Sequence, residues 1–217
     1  MMMEQINERN FNFYNQIGID TFQSLAQDGG FSTYVDLEIA YRYIQASENI
    51  VEIGAGYGRC IEFLMCKQHQ GKIIAVEQSA KLCEYLRQKY ESSVEIVEGD
   101  IYTISFDQKI DTALWMWSGI IDFSLEEQAA NVKHIFDLLN SKGKLFIDIP
   151  RIGIQTIASH IDQQRIKLTT DFGEIECYIP LSTEVKDYAH AAGFTRVDEI
   201  NYETATDKKR TMYILKK

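Results

Sequence analysis

The sequence predicts an α/β fold: a mostly parallel sheet with helices on both faces, preceded by a helical cap. Three observations carry that prediction. Short β-branched or apolar runs alternate five times with helix-like patterns across residues 48–151, the signature of parallel strands joined by crossover helices. The first of those strands runs directly into a cluster of glycines that opens a helix. The chain also has the size and composition to bury a full core. It has 217 residues, 45% hydrophobic and 25% charged, with two prolines and thirteen glycines in no repeat, which excludes wholesale disorder and collagen-like or low-complexity architectures.

Residues 1–47 read as a mostly helical cap. Ile50-Val51-Glu52-Ile53 is the first strand, and a helix from Arg59 to Gln68 follows the glycines, closed by Gly71. Ile73-Ile74-Ala75-Val76 is the second strand, after which Ser79 stands as N-cap of a helix to about Tyr90. Val94 to Val97 is the third. Ala113-Leu114-Trp115-Met116-Trp117 is an unbroken apolar run, as a strand covered on both faces requires. Ser124-Leu125-Glu126-Glu127 reads as a capping box opening a helix whose apolar stripe is Leu125, Ala129, Val132, Ile135, Phe136 and Leu139. Leu145-Phe146-Ile147 is the fifth strand. In residues 152–181 two runs, 165–169 and 174–179, flank a hairpin turn at Asp171-Phe172-Gly173. A helix from Glu184 to Ala192 then ends at Gly193, and Val197–Tyr202 and Met212–Leu215 form an antiparallel pair closing one edge of the sheet. The expectation is one domain over 1–217: cap 1–47, core 48–151, substrate-side insertion 152–181, and closing helix and strand pair 182–217.

Charge and targeting narrow the partners. Twenty-two basic against 32 acidic residues give −10, and dense basic runs occur only at Lys208-Lys209-Arg210 and Lys216-Lys217. Nucleic-acid binding needs a basic footprint to displace counterions, so a small or cationic partner fits better and no nucleic-acid partner is expected. No apolar run is long enough to span a bilayer, so no membrane association is expected. The polar stretch Met1–Asn10 has no apolar core of an export signal. Cys60, Cys66, Cys83 and Cys177 form no C-x-x-C pair. They read as reduced thiols, and the expected location is the cytoplasm.

The most informative residues are Glu52-Ile53-Gly54-Ala55-Gly56-Tyr57-Gly58-Arg59. A dinucleotide fold calls for G-x-G-x-x-G, with pyrophosphate at the helix N-terminus. Here Arg59 occupies the last of those positions and the third glycine comes one place early. The pattern E-x-G-x-G-x-G resembles motif I of the class I S-adenosylmethionine-dependent methyltransferases. Two later signals agree. Glu77 ends the second strand, where a carboxylate can accept from both ribose hydroxyls, and Glu98-Gly99-Asp100-Ile101 looks like the family's G-D-apolar motif. The resemblance covers about 49–149 and implies a Rossmann-like seven-stranded sheet of order 3-2-1-4-5-7-6, last strand antiparallel, with S-adenosyl-L-methionine as cofactor. Carried over, Gly54, Ala55, Gly56 and Gly58 form the cofactor loop and Glu52 lies near the methionine end. Glu77 holds the ribose, Asp100 accepts from the adenine amino group, Ile101 covers the ring and Gln78 flanks it. Arg59 is either near the cofactor carboxylate or a solvated first-turn arginine.

Methyl transfer from a sulfonium needs chiefly alignment and exclusion of water, with a base only where the acceptor carries a proton. No catalytic residue is therefore assigned, and a recognisable catalytic motif is not required. Trp115-Met116-Trp117-Ser118-Gly119 stands where the family places acceptor-facing residues and lacks the Asn/Asp-Pro-Pro-aromatic motif of amide and exocyclic-amine enzymes. No cysteine between Cys83 and Cys177 serves cytosine-C5 chemistry, and neither scattered histidines nor Asp122 with Asp148 suggests a metal. Trp117 and Tyr34 are expected at the cofactor, and Tyr14, Asp122, Arg151 and Tyr178 around the acceptor. The implied activity is methyl transfer to a small-molecule acceptor by a monomer or homodimer. The alternatives are a protein methyltransferase, an aminopropyltransferase, or a protein that binds the cofactor without turnover.

Overall fold

The computed structural model describes residues 6–151, 159–160 and 162–217. Three helices come first: α1 Ile6–Gln16, α2 Ile19–Asp28 and α3 Val35–Tyr41. The core follows as β1 Ile50–Ile53, α4 Arg59–Cys66, β2 Ile73–Glu77, α5 Ala80–Tyr90, β3 Glu95–Glu98, β4 Ile110–Trp115, α6 Leu125–Leu138 and β5 Leu139–Pro150. Next are β6 Ser159–His160, β7 Arg165–Thr170 and β8 Gly173–Tyr178, then α7 Ser182–Ala192, β9 Arg196–Glu203 and β10 Lys209–Lys216.

The main sheet runs β3-β2-β1-β4-β5-β10-β9. Strands β1 to β5 are parallel, and β10 is antiparallel to both β5 and β9. Counting only that sheet's strands, the order is 3-2-1-4-5-7-6 with the last strand reversed, as the sequence implies. The excursion after β5 builds its own three-stranded sheet, β6-β7-β8, in which Asp171-Phe172 connects two strands paired from Arg165–Tyr178 to Thr170–Gly173.

The period-2 alternation of strand side chains divides the core into two layers. Val51, Ile53, Trp115 and Ile147 point to one side, with α6, α7 and α1. Ile50, Leu114, Phe146 and Ile214 point to the other, with α3, α4 and α5. Every residue of β1 and β2 is buried, which is why those segments read as continuous apolar runs with a buried glutamate in or at the end of each.

Helix boundaries follow local chemistry. The Ser124 hydroxyl accepts from Glu127 N while Glu127 Oε2 accepts from Ser124 N, a reciprocal cap worth about 1 kcal/mol. Ser79 does precede α5, but its hydroxyl makes no capping bond; its backbone N–H instead donates to Glu77. Gly193 ends α7 at φ 110°, a left-handed conformation that glycine adopts without Cβ strain.

Candidate active site

A cavity of about 330 Å³ opens at the C-terminal ends of β1, β2 and β4, where open parallel sheets gather their ligands. The sheet supplies one wall through Glu52, the glycine loop, Glu77, Gln78, Gly99, Ile101 and Trp117. The cap supplies the other through Phe11, Tyr14 and Phe22, and Leu168 and Ile175 close one end from β7 and β8.

The three glycines of the loop have left-handed φ values of 68°, 56° and 85°, and each for a different reason. A Cβ on Gly54 would stand in open space within the cavity. Gly56 N–H donates to Glu77 Oε2 at 2.8 Å. Gly58 lies outside the cavity lining; a Cβ there would meet Tyr90 and Leu86 at 2.7 to 2.8 Å, and its carbonyl accepts from Tyr90 O–H.

Glu52 is 4% exposed, lines the cavity, and leaves Oε2 with no hydrogen-bond partner. Burial pushes its pKa up to about 7 against the pull of Cys60 and Arg59. Burial also raises Glu77, opposed by backbone N–H donors of Ser79, Gly56 and Gln78. Arg59 lines the cavity and is not the solvated first-turn arginine that was the other expectation. It is buried and forms a two-pronged ion pair with Asp36, at 2.9 and 2.6 Å, below the ring of Phe31.

Trp117 lines the cavity with φ 47°, followed by Ser118 at φ 71°. Two successive left-handed residues turn the chain sharply off β4, and Ser118 N–H donates to Asp148 O. The turn is held from behind: Arg210 pairs with Asp148 at 2.7 Å and donates to Ser118 Oγ at 2.6 Å, while Tyr202 O–H donates to Asp148 at 2.6 Å. Arg210 lies 5.0 Å from the Phe31 ring and Arg59 5.2 Å from it. Phe31 in turn contacts Trp117 at 5.4 Å.

On the cap side, Tyr14 O–H donates to Asp122 Oδ2 at 2.9 Å and Asn10 Nδ2 donates to Oδ1 at 3.1 Å, with Cys177 Sγ 3.8 Å from Oδ1. Burial raises Asp122 to about 7, opposed by these three hydrogen bonds, and raises Tyr14 well above its ordinary value.

Of the positions singled out in the sequence, the structure brings Glu52, Gly54, Ala55, Gly56, Glu77, Gln78, Ile101, Trp117, Tyr14 and Asp122 to one cavity. Five others lie off its lining. Gly58 packs on α5, as above. Asp100 is flanked by two lining residues, and its carboxylate accepts from Tyr102 N–H at 2.9 Å. Tyr34 begins α3 and contacts Phe63 at 5.6 Å. Arg151 is exposed after β5, and Tyr178 O–H donates to Glu184 at 2.8 Å. Of the expected acceptor wall at 152–181, residues 152–158 and 161 fall outside the described residues, while Leu168 and Ile175 line the cavity. Sequence reasoning missed Asn10, Phe22, Cys177 and the Phe31–Arg210–Asp148 assembly, because contacts between residues that are distant in the sequence, such as Cys177 and Asp122 or Phe31 and Arg210, leave no local pattern. Among the described residues, no three His, Cys, Asp or Glu side chains group as metal ligands.

Residues 50–143 match the family described as methyltransferase domain. The chain carries a class I S-adenosylmethionine-dependent methyltransferase domain. A curated relative, the probable ribosomal RNA small subunit methyltransferase A of Thermococcus sibiricus, is 36% identical over 72 residues. That match covers 33% of this chain and 26% of the relative, so the chain spans about a quarter of that protein's length. Two solved structures share the fold of this methyltransferase domain. An amino pentose methyltransferase from Micromonospora echinaspora superposes with TM-score 0.64 at 12% identity, covering 89% of this chain and 96% of that one. The 1,6-didemethyltoxoflavin-N1-methyltransferase of Burkholderia thailandensis gives 0.62 at 16%, covering 92% and 86%.

The methyltransferase cavity fits such a cofactor on two counts. The space beside Gly54 is what a cofactor tail passing close to the backbone needs, and the unpartnered buried oxygen of Glu52 calls for a donor or cation that the protein does not supply. No described helix is long and apolar enough to cross a membrane.

Proposed function

We propose that this protein transfers a methyl group from S-adenosylmethionine to a small-molecule acceptor. The observation that carries the reading is that one cavity joins the glycine loop and Glu52 to an aromatic chamber under the cap, ending at Tyr14 and Asp122. The cofactor supplies an electrophilic methyl on a sulfonium. The residues of the chain align and shelter it. Glu52 accepts from the ammonium of the methionine tail, the Gly54 backbone runs beside that tail, and Glu77 takes the ribose hydroxyls with the lone pairs its backbone donors leave free. Ile101 and Gln78 cover the adenine, with Asp100 at the rim. Trp117 stands between the two halves of the cavity. Gly58 acts by packing the loop onto α5. Tyr34, Arg151 and Tyr178 take no part in this proposal.

A nucleic-acid acceptor is the second reading, favoured by the ribosomal RNA enzyme among the curated relatives. Three observations support the small molecule instead: the cap folds over the chamber, Trp115-Met116-Trp117-Ser118 replaces the amine-enzyme motif, and the chain carries −10. We read it accordingly as a cytoplasmic enzyme.

Isothermal titration with S-adenosylhomocysteine, with NAD as control, tests the cofactor. Micromolar binding of the first and none of the second is expected, and the reverse would end the proposal. Incubation with labelled S-adenosylmethionine and either a small-molecule cell extract or purified ribosomal RNA then tests the acceptor. Label appearing in the RNA alone decides for the second reading.

A further inference from the structure

The charges lining the cavity do not balance. Glu52, Glu77 and Asp122 are its three carboxylates, and Arg59 is the one cation among the described lining residues. That guanidinium is already committed to Asp36. At the acceptor end Asp122 is bonded only to neutral groups, Asn10, Tyr14 and Cys177. Beside it a row of rings leads to the cofactor side: Tyr14 to Phe22 at 5.6 Å and Phe22 to Trp117 at 5.9 Å. A carboxylate without a counter-cation at the end of an aromatic passage is the arrangement that recognises an organic ammonium, by ion pairing at one atom and cation–π attraction along the walls.

We propose that the acceptor is a small amine on an apolar skeleton, held through its ammonium by Asp122, and that Asp122 takes the proton which must leave nitrogen before methylation. The inference rests on the methyl-transfer reading above. An N–H bond breaks toward an Oδ of Asp122, leaving a neutral amine and a neutral carboxylic acid. The freed lone pair forms the N–CH3 bond as the S–CH3 bond breaks, and that bond's electron pair stays on sulfur, which becomes the neutral thioether. Nitrogen leaves with one new methyl and a positive charge, and Asp122 returns its proton to solvent. In water an ammonium does not readily protonate a carboxylate. In an apolar chamber both charges are disfavoured, so their mutual neutralisation is helped from each side. Tyr14 is a positioning residue: its hydroxyl stabilises the ionised Asp122 and fixes the oxygen that faces the amine.

The groups facing Asp122 are Asn10 and Tyr14 from α1 and Cys177 from β8. Glu176 of β8, paired with Arg165, acts on Cys177 by charge, and Glu77 acts on Tyr14 across the cavity. With Asp122 raised to about 7, ammonium binding rises through that pH.

The test titrates protein saturated with S-adenosylhomocysteine at pH 8 with phenethylamine, 2-phenylethanol, 3-phenylpropionate and an acetylated lysine tripeptide. Phenethylamine is expected to bind about tenfold more tightly than the alcohol or the acid. Asp122→Asn should abolish that preference, with S-adenosylhomocysteine affinity measured alongside to show that the variant is folded. In Tyr14→Phe the rise of amine binding with pH should move to higher pH. The proposal is overturned if phenethylamine does not bind, if the alcohol or acid matches it, or if Asp122→Asn keeps the preference. An unmoved pH rise in Tyr14→Phe overturns it too. Tighter binding of the lysine tripeptide overturns the small-molecule class. Failure of S-adenosylhomocysteine itself to bind removes the underlying methyl-transfer reading, a result distinct from all of these.

Discussion

Glu52 shows at the scale of one residue how burial sets function. Its carboxylate is closed off from water with one oxygen unpartnered, and its pKa is raised to about 7. A ligand that brings an ammonium to it must meet the ionised form. Affinity for S-adenosylhomocysteine should therefore climb between pH 6 and 8 in the wild type, and Glu52→Gln should bind at least tenfold more weakly at pH 8 with that climb gone. Titration at three pH values checks both. The glycines give a second residue-scale contrast. Gly54→Ala places a methyl in open cavity and strains one left-handed dihedral, so it should cost about 1 kcal/mol of stability while blocking the cofactor. Gly58→Ala must also displace Tyr90 and Leu86, and its melting temperature should fall further than that of Gly54→Ala. Denaturant melts paired with binding isotherms separate the two.

At the scale of elements, the cap packs into both core layers and is pinned there by specific side-chain contacts. The Asn10 side chain is wholly buried and serves β8 as a backbone mimic, donating to Glu176 O at 2.7 Å and accepting from Glu176 N–H at 3.0 Å. Phe31 sits against two ion-paired guanidinia and Trp117. Phe31→Ala should destabilise the protein by roughly 3–5 kcal/mol, more than Phe11→Ala at the half-buried rim, as thermal denaturation would register. How legible the elements are in the sequence divides along the same line. The apolar run that forms β4 through Trp115 and the capping box at Ser124 are set by neighbours in the chain, so period and cap residues reveal them, although the strand stops two residues short of the run's end at Trp117. Glu52, Gly54 and Glu77 are legible because the strand-loop-helix turn puts them at fixed offsets. The fate of Arg59 was not, since Asp36 and Phe31 reach it from the cap and no pattern around residue 59 records their approach. Tyr34 illustrates the opposite case: an aromatic in the cap looked suited to the site, but the left-handed start of α3 turns it onto Phe63.

For the molecule as a whole, excess negative charge reaches into the interior. A buried carboxylate whose folded pKa lies above its unfolded one binds more protons folded than unfolded across that interval. Its stabilising contribution is complete below the unfolded pKa and is lost as pH rises to the folded one. For Glu52 the window runs from 4.5 to about 7 and corresponds to roughly 3 kcal/mol at most, with Asp122 acting in the same direction. The free protein should thus melt at a higher temperature at pH 5 than at pH 8, and calorimetry should show the difference shrink in Glu52→Gln. The cap has a further consequence for how the chain reaches its folded form. Thr206 donates to Asp28 O across 178 positions of sequence, Ala205 N–H donates to Gly30 O, and Arg210 of β10 stacks on Phe31. The segment that emerges early from the ribosome leans on one that emerges late. Until β10 is synthesised and inserted between β5 and β9, the end of α2 and the Phe31 ring beyond it lack these partners, so that part of the cap settles late.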